Sequence, residues 1–107
     1  MRASRGDVFL VSLDPARGQE IRKTRPCVVM SPDELNHALS TVVVAPMTTG
    51  GHAYPFRIPC QFQRRSGFVV LDQLRTVDSQ RLVRRVGHLS TPTLQRCLGV
   101  LREMFEE

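Results

Sequence analysis

The side chain best suited to phosphate chemistry is Arg25, which lies directly before Pro26 at the end of a polar segment. A residue before proline is pushed towards extended backbone, so Arg25 is expected at the mouth of a strand. A guanidinium there can hold the charge that develops on a phosphate during transfer. Considered alone, the same position also fits an ordinary surface charge.

Thr48 and Thr49 lie between the apolar segment 41–47 and a pair of glycines, Gly50 and Gly51. A hydroxyl at this place can donate to a phosphoryl oxygen, and the glycines are expected to leave backbone N–H groups free for a ligand. The same residues also fit a plain hairpin turn. His52 follows the turn and has a side chain suited to proton transfer, although an exposed loop histidine is the simpler interpretation.

The sequence contains no glycine-rich nucleotide motif, no zinc-protease motif and no nucleophile elbow. Its three histidines are scattered, and its three cysteines, Cys27, Cys60 and Cys97, are widely spaced. We therefore expect no metal site, no cofactor and no disulfide framework. The cysteines are expected to be small buried residues.

The charge favours an anionic partner. The net charge is +5, and of the 15 basic residues only Lys23 is a lysine. Arginine matches phosphate oxygens two at a time, so nucleic acid is the first candidate, and a codon bias towards arginine is the alternative. Further basic residues either carry RNA past the site or form a solvated face: Arg75, Arg81, Arg84 and Arg85.

The length of 107 residues predicts one domain, residues 1–107, with one core. The apolar stretches are too short to span a bilayer, and the charged N-terminus has no apolar segment behind it. A cytoplasmic protein without membrane contact is therefore expected.

The hydrophobic pattern predicts many short strands followed by one helix. The strands are expected at residues 7–13, 26–30, 41–47, 56–59, 67–71, 74–77 and 84–89, with an exposed, mobile loop at 17–25 and a helical turn at 31–35. Leu94, Leu98, Leu101 and Phe105 share one face of a helix over residues 92–105, with Thr91 as its N-cap. A small, strongly bent antiparallel sheet or barrel with a closing helix follows.

Five segments, in order, resemble the MazF/PemK toxins: RGDVFLV from Arg5, DPARGQE from Asp14, KTRPCVVMSP from Lys23, APMTT from Ala45 and DQLRTVD from Asp72. The match covers nearly the whole chain. The resemblance implies an SH3-like small barrel of the CcdB/MazF type with a C-terminal α-helix, working as a homodimer. It implies metal-independent cleavage of single-stranded RNA to 2′,3′-cyclic phosphate and 5′-hydroxyl ends. It also implies neutralisation by an acidic antitoxin that lies over the active groove.

The resemblance assigns the catalytic arginine to Arg25 and the catalytic threonine to Thr48. The segment 17–24 matches a loop that borders the site, and Glu20 matches an acidic residue there. The residues predicted to contact RNA are Arg17, Glu20, Lys23, Thr49, His52, Gln73, Arg75 and Arg84.

Three other functions stay open. A CcdB-type gyrase poison uses the same barrel but usually ends in Trp-Gly-Ile, whereas this chain has no tryptophan and ends Phe105-Glu106-Glu107. A non-catalytic SH3-like RNA-binding module would keep the arginine-rich face without needing Arg25 and Thr48 together. A degenerate toxin would keep both residues but no cleavage.

Overall fold

The computed structural model describes residues 2–107, within which seven strands precede a C-terminal helix. The strands are β1 Asp7–Ser12, β2 Thr24–Val29, β3 Thr41–Thr49, β4 Arg57–Phe62, β5 Arg65–Val70, β6 Arg75–Asp78 and β7 Leu82–His88. The helices are α1 Asp33–Ala38 and α2 Thr91–Met104, and short 3₁₀ helices cover Leu71–Gln73 and Ser79–Arg81.

All strand pairings are antiparallel, in the order β4-β5-β3-β2-β1-β7, and β6 adds to β3. Over residues 2–107 no pairing joins β4 to β7, so the barrel-like sheet is open. The predicted fold class, mainly β with a closing C-terminal helix, is confirmed.

The central strands bury both of their faces, which explains why they read as continuous apolar runs. Along β1 and β2, side chains alternate between two core clusters, with Phe9 and Cys27 in one and Val8 and Val28 in the other. The second cluster is covered by β4, β5 and α2, whose Leu94, Leu98, Leu101 and Met104 pack against it.

The details of helix α2 differ from the prediction. Ser90, not Thr91, is its N-cap, and the helix ends at Met104. The spacing predicts Phe105 on the buried stripe of the helix, but 74% of its surface is exposed. Because the helix ends at Met104, the Phe105 ring does not pack on the sheet.

Strand β3 is longer than predicted, and this changes the setting of Thr48 and Thr49. The prediction that Thr48 and Thr49 belong to a turn at residues 48–51 is wrong. Both threonines are in β3, where they pair with Phe68 and Gly67 of β5. The first part of β3 pairs with β6 and its last part pairs with β5, so β3 links two layers of the sheet. Gly67 permits the close approach, because a Cβ there would lie 1.6 Å from the Thr48 carbonyl oxygen.

Candidate active site

The pairing of strands β2 and β3 stops short of Arg25 and Thr48. It ends at Cys27 and Pro46, and proline has no N–H to extend a ladder. Continuing the same register by two residues sets Arg25 across from Thr48. Because side chains alternate along a strand, both residues share a face with their buried neighbours Cys27 and Pro46. The strand ends thus bring together two residues that are far apart in sequence.

Two clefts meet at this point. The first, the strand-end cleft, is lined by Thr24, Arg25, Pro26, Met47, Thr48, Thr49, Cys60, Phe62, Gln63, Arg65 and Gly67. The second, the loop cleft, is lined by Gln19, Glu20, Ile21, Arg22, Arg25, Thr48, Thr49, Gly50, Gly51 and Arg57. Arg25, Thr48 and Thr49 line both clefts, so a chain crossing from one cleft to the other passes over them.

Arg25 keeps most of its donors available. Its side chain is exposed, and its Nε donates to the Arg22 carbonyl at 3.3 Å. The terminal nitrogens of its guanidinium make no hydrogen bond within residues 2–107. Thr48 is half-buried beside it. The pair therefore offers outward-facing N–H and O–H donors on a partly enclosed floor, a suitable arrangement for holding phosphoryl oxygens.

The site is positively charged. Four arginines, Arg22, Arg25, Arg57 and Arg65, and one glutamate, Glu20, line the two clefts. The Glu20 carboxylate already accepts a hydrogen bond from the Arg17 backbone N–H. Arg57 is paired with Asp72, which leaves Arg22, Arg25 and Arg65 against Glu20, a balance that favours an anionic ligand.

The β1–β2 loop is exposed, as predicted, and it is also anchored. The Gln73 side chain accepts from the Ile21 N–H at 2.7 Å and donates to the Gln19 carbonyl at 3.2 Å. Lys23 has a φ of 69°, and its N–H donates to the Asp14 carboxylate at 3.0 Å. These contacts fix the loop that forms one wall of the loop cleft.

Two of the residues predicted to contact RNA have structural roles in the folded chain. Gln73 holds the loop, and the Arg75 guanidinium donates to the Leu13 carbonyl at 3.1 Å. Arg81 also has a structural role at the end of β1, where its guanidinium donates to the Ser12 and Asp14 carbonyls. A contact of Gln73 or Arg75 with RNA stays a prediction.

The remaining residues predicted to contact RNA divide by location. Thr49 and Glu20 line the clefts, whereas Arg17, Lys23, His52 and Arg84 are exposed and outside both linings. Arg84 lies farthest along the sheet, on β7 opposite Leu10.

The prediction of free backbone N–H groups near Gly50 is wrong for Gly50 itself, because its N–H donates to the Ser66 carbonyl at 2.9 Å. The extension of β3 beyond its predicted end uses this donor.

Sequence reasoning missed the hairpin that closes the strand-end cleft. Phe62 pairs with Arg65, and between them Gln63 and Arg64 have positive φ of 52° and 65°. Such a two-residue turn is usually marked by Asn or Gly, neither of which is present. With neither residue present, no turn signal in the sequence marked this hairpin or the cleft residues Gln63 and Arg65.

The cysteines are not suited to act as nucleophiles. Cys27 and Cys97 are buried, whereas Cys60 is only half-buried, so the prediction of three buried thiols is wrong for Cys60. Burial raises the pKa of Cys27 to about 12 and that of Cys97 to about 11. It also raises the pKa of the Cys60 thiol. A thiolate at these positions is therefore disfavoured near neutral pH.

The described residues hold no group of three or more His, Cys, Asp or Glu side chains arranged to bind a metal ion. Over the same residues, no helix has the length and apolarity that crossing a membrane requires.

The fold is a basic, open barrel with an Arg–Thr pair at the junction of two clefts, a class of small domain suited to an anionic ligand. Comparison with known families gives the assignment within that class. Residues 4–105 match the model of the PemK-like, MazF-like toxins of type II toxin–antitoxin systems. The chain belongs to this family.

The chain is similar in sequence to characterised members. It is 35% identical over 72 residues to the endoribonuclease toxin MazF of Escherichia coli strain K12, an alignment that covers 67% of this chain and 65% of MazF. It is 33% identical over 103 residues to the endoribonuclease PemK of Escherichia coli, covering 91% of this chain and 77% of PemK.

Solved structures share the fold. MazF from Deinococcus radiodurans superposes with a TM-score of 0.85 at 23% identity, covering 97% of this chain and 96% of that one. An endoribonuclease from a mycobacterial species, solved in complex with its cognate antitoxin, superposes with a TM-score of 0.79 at 20% identity, covering 94% and 92%. These likenesses show the barrel architecture.

Proposed function

We propose that this chain is an endoribonuclease toxin that cleaves single-stranded RNA without a metal ion, leaving 2′,3′-cyclic phosphate and 5′-hydroxyl ends. The observation that carries the proposal is the placement of Arg25 and Thr48 at the junction of two basic clefts. Membership of the toxin family and similarity to two named endoribonucleases support it.

The chemistry requires the 2′-hydroxyl of the substrate to attack the adjacent phosphorus in line with the departing 5′-oxygen. The bond from O2′ to phosphorus forms and the bond from phosphorus to O5′ breaks. One proton leaves the 2′-hydroxyl, and one is delivered to O5′. The Arg25 guanidinium and the Thr48 hydroxyl donate to the non-bridging oxygens as negative charge accumulates there.

Arg25 acts first as an electrostatic stabiliser and then as the donor to the leaving oxygen. An arginine has a pKa above ~12, which makes it a poor acceptor for the 2′-hydroxyl proton. The proposal therefore leaves the general base unassigned. His52 is one candidate, because its imidazole suits proton transfer and it is exposed in the loop that follows β3.

The proposal includes two protein partners and a location. Residues 1–107 form one toxin domain that acts as a homodimer in the cytoplasm. An acidic cognate antitoxin covers the clefts and excludes RNA. The arginine-rich lining supports an acidic partner, and a structural neighbour has been solved with its cognate antitoxin.

Incubation with a mixed single-stranded RNA in EDTA, followed by mapping of the ends, tests the function. We expect cyclic-phosphate ends at one short motif. Arg25→Ala should reduce cleavage at least 100-fold, on the order of the loss seen when a charge-stabilising donor is removed. Arg96→Ala, an exposed arginine of α2 outside both clefts, is the matched control and should cleave normally. Circular dichroism checks that each variant is folded.

Three results would contradict the proposal. Full activity of Arg25→Ala removes the catalytic assignment. Activity that is lost in EDTA and restored by a divalent ion removes the metal-free mechanism. Binding of RNA without any cleavage indicates the non-catalytic module or a degenerate toxin instead.

A further inference from the structure

A third cleft continues from the loop cleft and is walled by aromatic side chains. It is lined by Gln19, Tyr54, Pro55, Phe56, Arg57 and Asp72. Gln19 and Arg57 line both this cleft and the loop cleft, so the path from Arg25 to Tyr54 is continuous. Below, "aromatic subsite" means Tyr54, Phe56, Arg57 and Asp72.

Both rings of the aromatic subsite are unusually accessible. Tyr54 is 57% exposed and Phe56 is 38% exposed, placing them among the few large apolar side chains on the surface of the described chain. Exposed aromatic rings beside a basic groove have the composition of single-strand binding surfaces, where bases stack on the rings. In this molecule the rings extend a groove that already holds the proposed cleavage site.

Three contacts connect the residues of the subsite. Arg57 makes a two-pronged ion pair with Asp72, in which Nε and Nη2 each donate to a carboxylate oxygen at 3.1 Å. The guanidinium carbon lies 4.8 Å from the centroid of the Tyr54 ring. The Leu71 N–H donates to the Phe56 carbonyl at 3.0 Å, which ties the aromatic segment to the 3₁₀ helix Leu71–Gln73. These contacts place the guanidinium, the two rings and the 3₁₀ helix in one connected patch.

Both members of the ion pair carry their charges across the neutral range. The hydrogen bond from Arg57 lowers the pKa of Asp72 below its ordinary value, so the carboxylate is ionised and orients the guanidinium. The fork uses two of the five guanidinium N–H groups, leaving three for a ligand. Two adjacent donors of arginine match two adjacent acceptors, O6 and N7, on the edge of guanine.

We propose that the aromatic subsite binds one base flanking the scissile phosphate, with Tyr54 and Phe56 stacking on the base and Arg57 selecting guanine. The inference rests on the proposed function, because it places a nucleotide of the same RNA beside Arg25. Adenine presents one acceptor and one donor on the corresponding edge, so Arg57 discriminates against it. Asp72 is a positioning residue that orients Arg57.

A randomised single-stranded RNA library, cleaved by the whole protein and sequenced at the ends, tests the subsite. The native sequence should enrich guanine at one fixed position from the cut. Tyr54→Ala should lower kcat/KM on the preferred RNA by about 5- to 150-fold, while Tyr54→Phe retains most activity. Arg57→Gln should reduce the preference for guanine over adenine by a similar factor of about 5 to 150.

Leu39→Ala is the matched control, because Leu39 is a large apolar side chain, 56% exposed, and outside the three cleft linings. It should keep both the rate and the base pattern. Asp72→Asn should weaken the guanine preference without abolishing cleavage, since it loosens Arg57 and removes no group that contacts the reacting atoms. Thermal melting of each variant separates loss of the subsite from loss of the fold.

The outcomes separate the subsite from the proposed function. Cleavage by the native chain with an unchanged base pattern in Tyr54→Ala and Arg57→Gln overturns the subsite and leaves the function standing. An equal loss for all four bases in Arg57→Gln, with reduced salt dependence, identifies a phosphate contact and overturns guanine selection. If the native chain cleaves nothing, the function fails. In that case, binding of guanine- and adenine-containing oligonucleotides to the native chain and to Tyr54→Ala decides the subsite on its own.

Discussion

Arg25 and Thr48 supply different kinds of donor at the same place. The guanidinium carries a full charge on an exposed side chain, whereas the Thr48 hydroxyl is neutral and half-buried at the end of β3. The buried strand fixes the position of the hydroxyl, so its contribution depends on geometry more than on charge. The two residues can therefore be tested separately.

Replacing Thr48 by valine keeps the shape of the side chain and removes the hydroxyl. We expect Thr48→Val to lower kcat by about 100- to 1000-fold, the usual loss for one positioned donor, and Thr48→Ser to stay within about 10-fold of the native rate. Single-turnover cleavage of a defined RNA measures both. Thr76→Val on the exposed face of β6 controls for the general effect of this substitution. A native rate in Thr48→Val would remove the hydroxyl from the mechanism.

At the scale of elements, the 3₁₀ helix Leu71–Gln73 connects the walls of the site. Gln73 binds the β1–β2 loop through Gln19 and Ile21, while its neighbour Asp72 holds Arg57. One short element therefore orients both sides of the path that leads away from Arg25. None of these contacts is local in sequence, since Gln73 and Ile21 are 52 residues apart.

The pairing of β3 with β5 positions Thr48, and Gly67 makes it possible. An alanine Cβ at Gly67 would lie 1.6 Å from the Thr48 carbonyl oxygen, so the backbone must move. We expect Gly67→Ala to destabilise the fold by about 1–3 kcal/mol or more, the cost of overpacking, and to reduce cleavage beyond its effect on the folded fraction. Urea unfolding and a cleavage assay at full folding measure the two effects.

Gly99→Ala is the comparison for that substitution. In α2 the nearest atom to an added Cβ is the flexible end of Arg102 at 3.9 Å, so there is room for it. Alanine is favoured over glycine in a helix by about 1 kcal/mol, so this variant should gain stability and retain activity. Equal stability of the two variants would mean that β5 can retreat from Thr48 without cost.

For the whole molecule, the fold divides the arginines behind the net charge of +5 into two groups, one that bonds to the backbone and one that lines the clefts. Several arginines are used internally, including Arg75 and Arg81, which hold the end of β1. Others, such as Arg22 and Arg65, face the clefts. Overall basicity is therefore a poor measure of how many arginines are available to an anionic ligand.

The salt dependence of RNA binding tests this division. With a non-cleavable 2′-O-methyl oligonucleotide, log Kd should rise linearly with log salt concentration, with a slope of about 0.7 for each phosphate contact. Arg65→Gln should lower the slope by about one contact, and Arg96→Gln on α2 should leave it unchanged. Fluorescence anisotropy over a KCl series gives both slopes. An identical slope for native chain and Arg65→Gln would place the RNA outside the strand-end cleft.

The local elements follow from the amino-acid pattern. Apolar runs predicted the central strands, a four-three-four spacing predicted α2, and the resemblance in five segments pointed to Arg25 and Thr48. The inferences about strands and helix succeed because side-chain periodicity and the backbone limits of proline act over a few residues, whereas the catalytic assignment of Arg25 and Thr48 stays a prediction. The same reasoning ended β3 too early, since the turn preference of Thr-Thr-Gly-Gly was overridden by pairing with β5.

Which side chains meet depends on how the strands pack. The register of β2 against β3 sets Arg25 across from Thr48, and the β5 strand reaches Thr48 because Gly67 has no side chain. The fork between Arg57 and Asp72 and the two bonds of Gln73 likewise depend on strands that pair far apart in the chain. Residue type gives the capacity to donate or accept, but a hydrogen bond also needs a partner within about 3 Å, and that distance is set by the packing of the whole sheet.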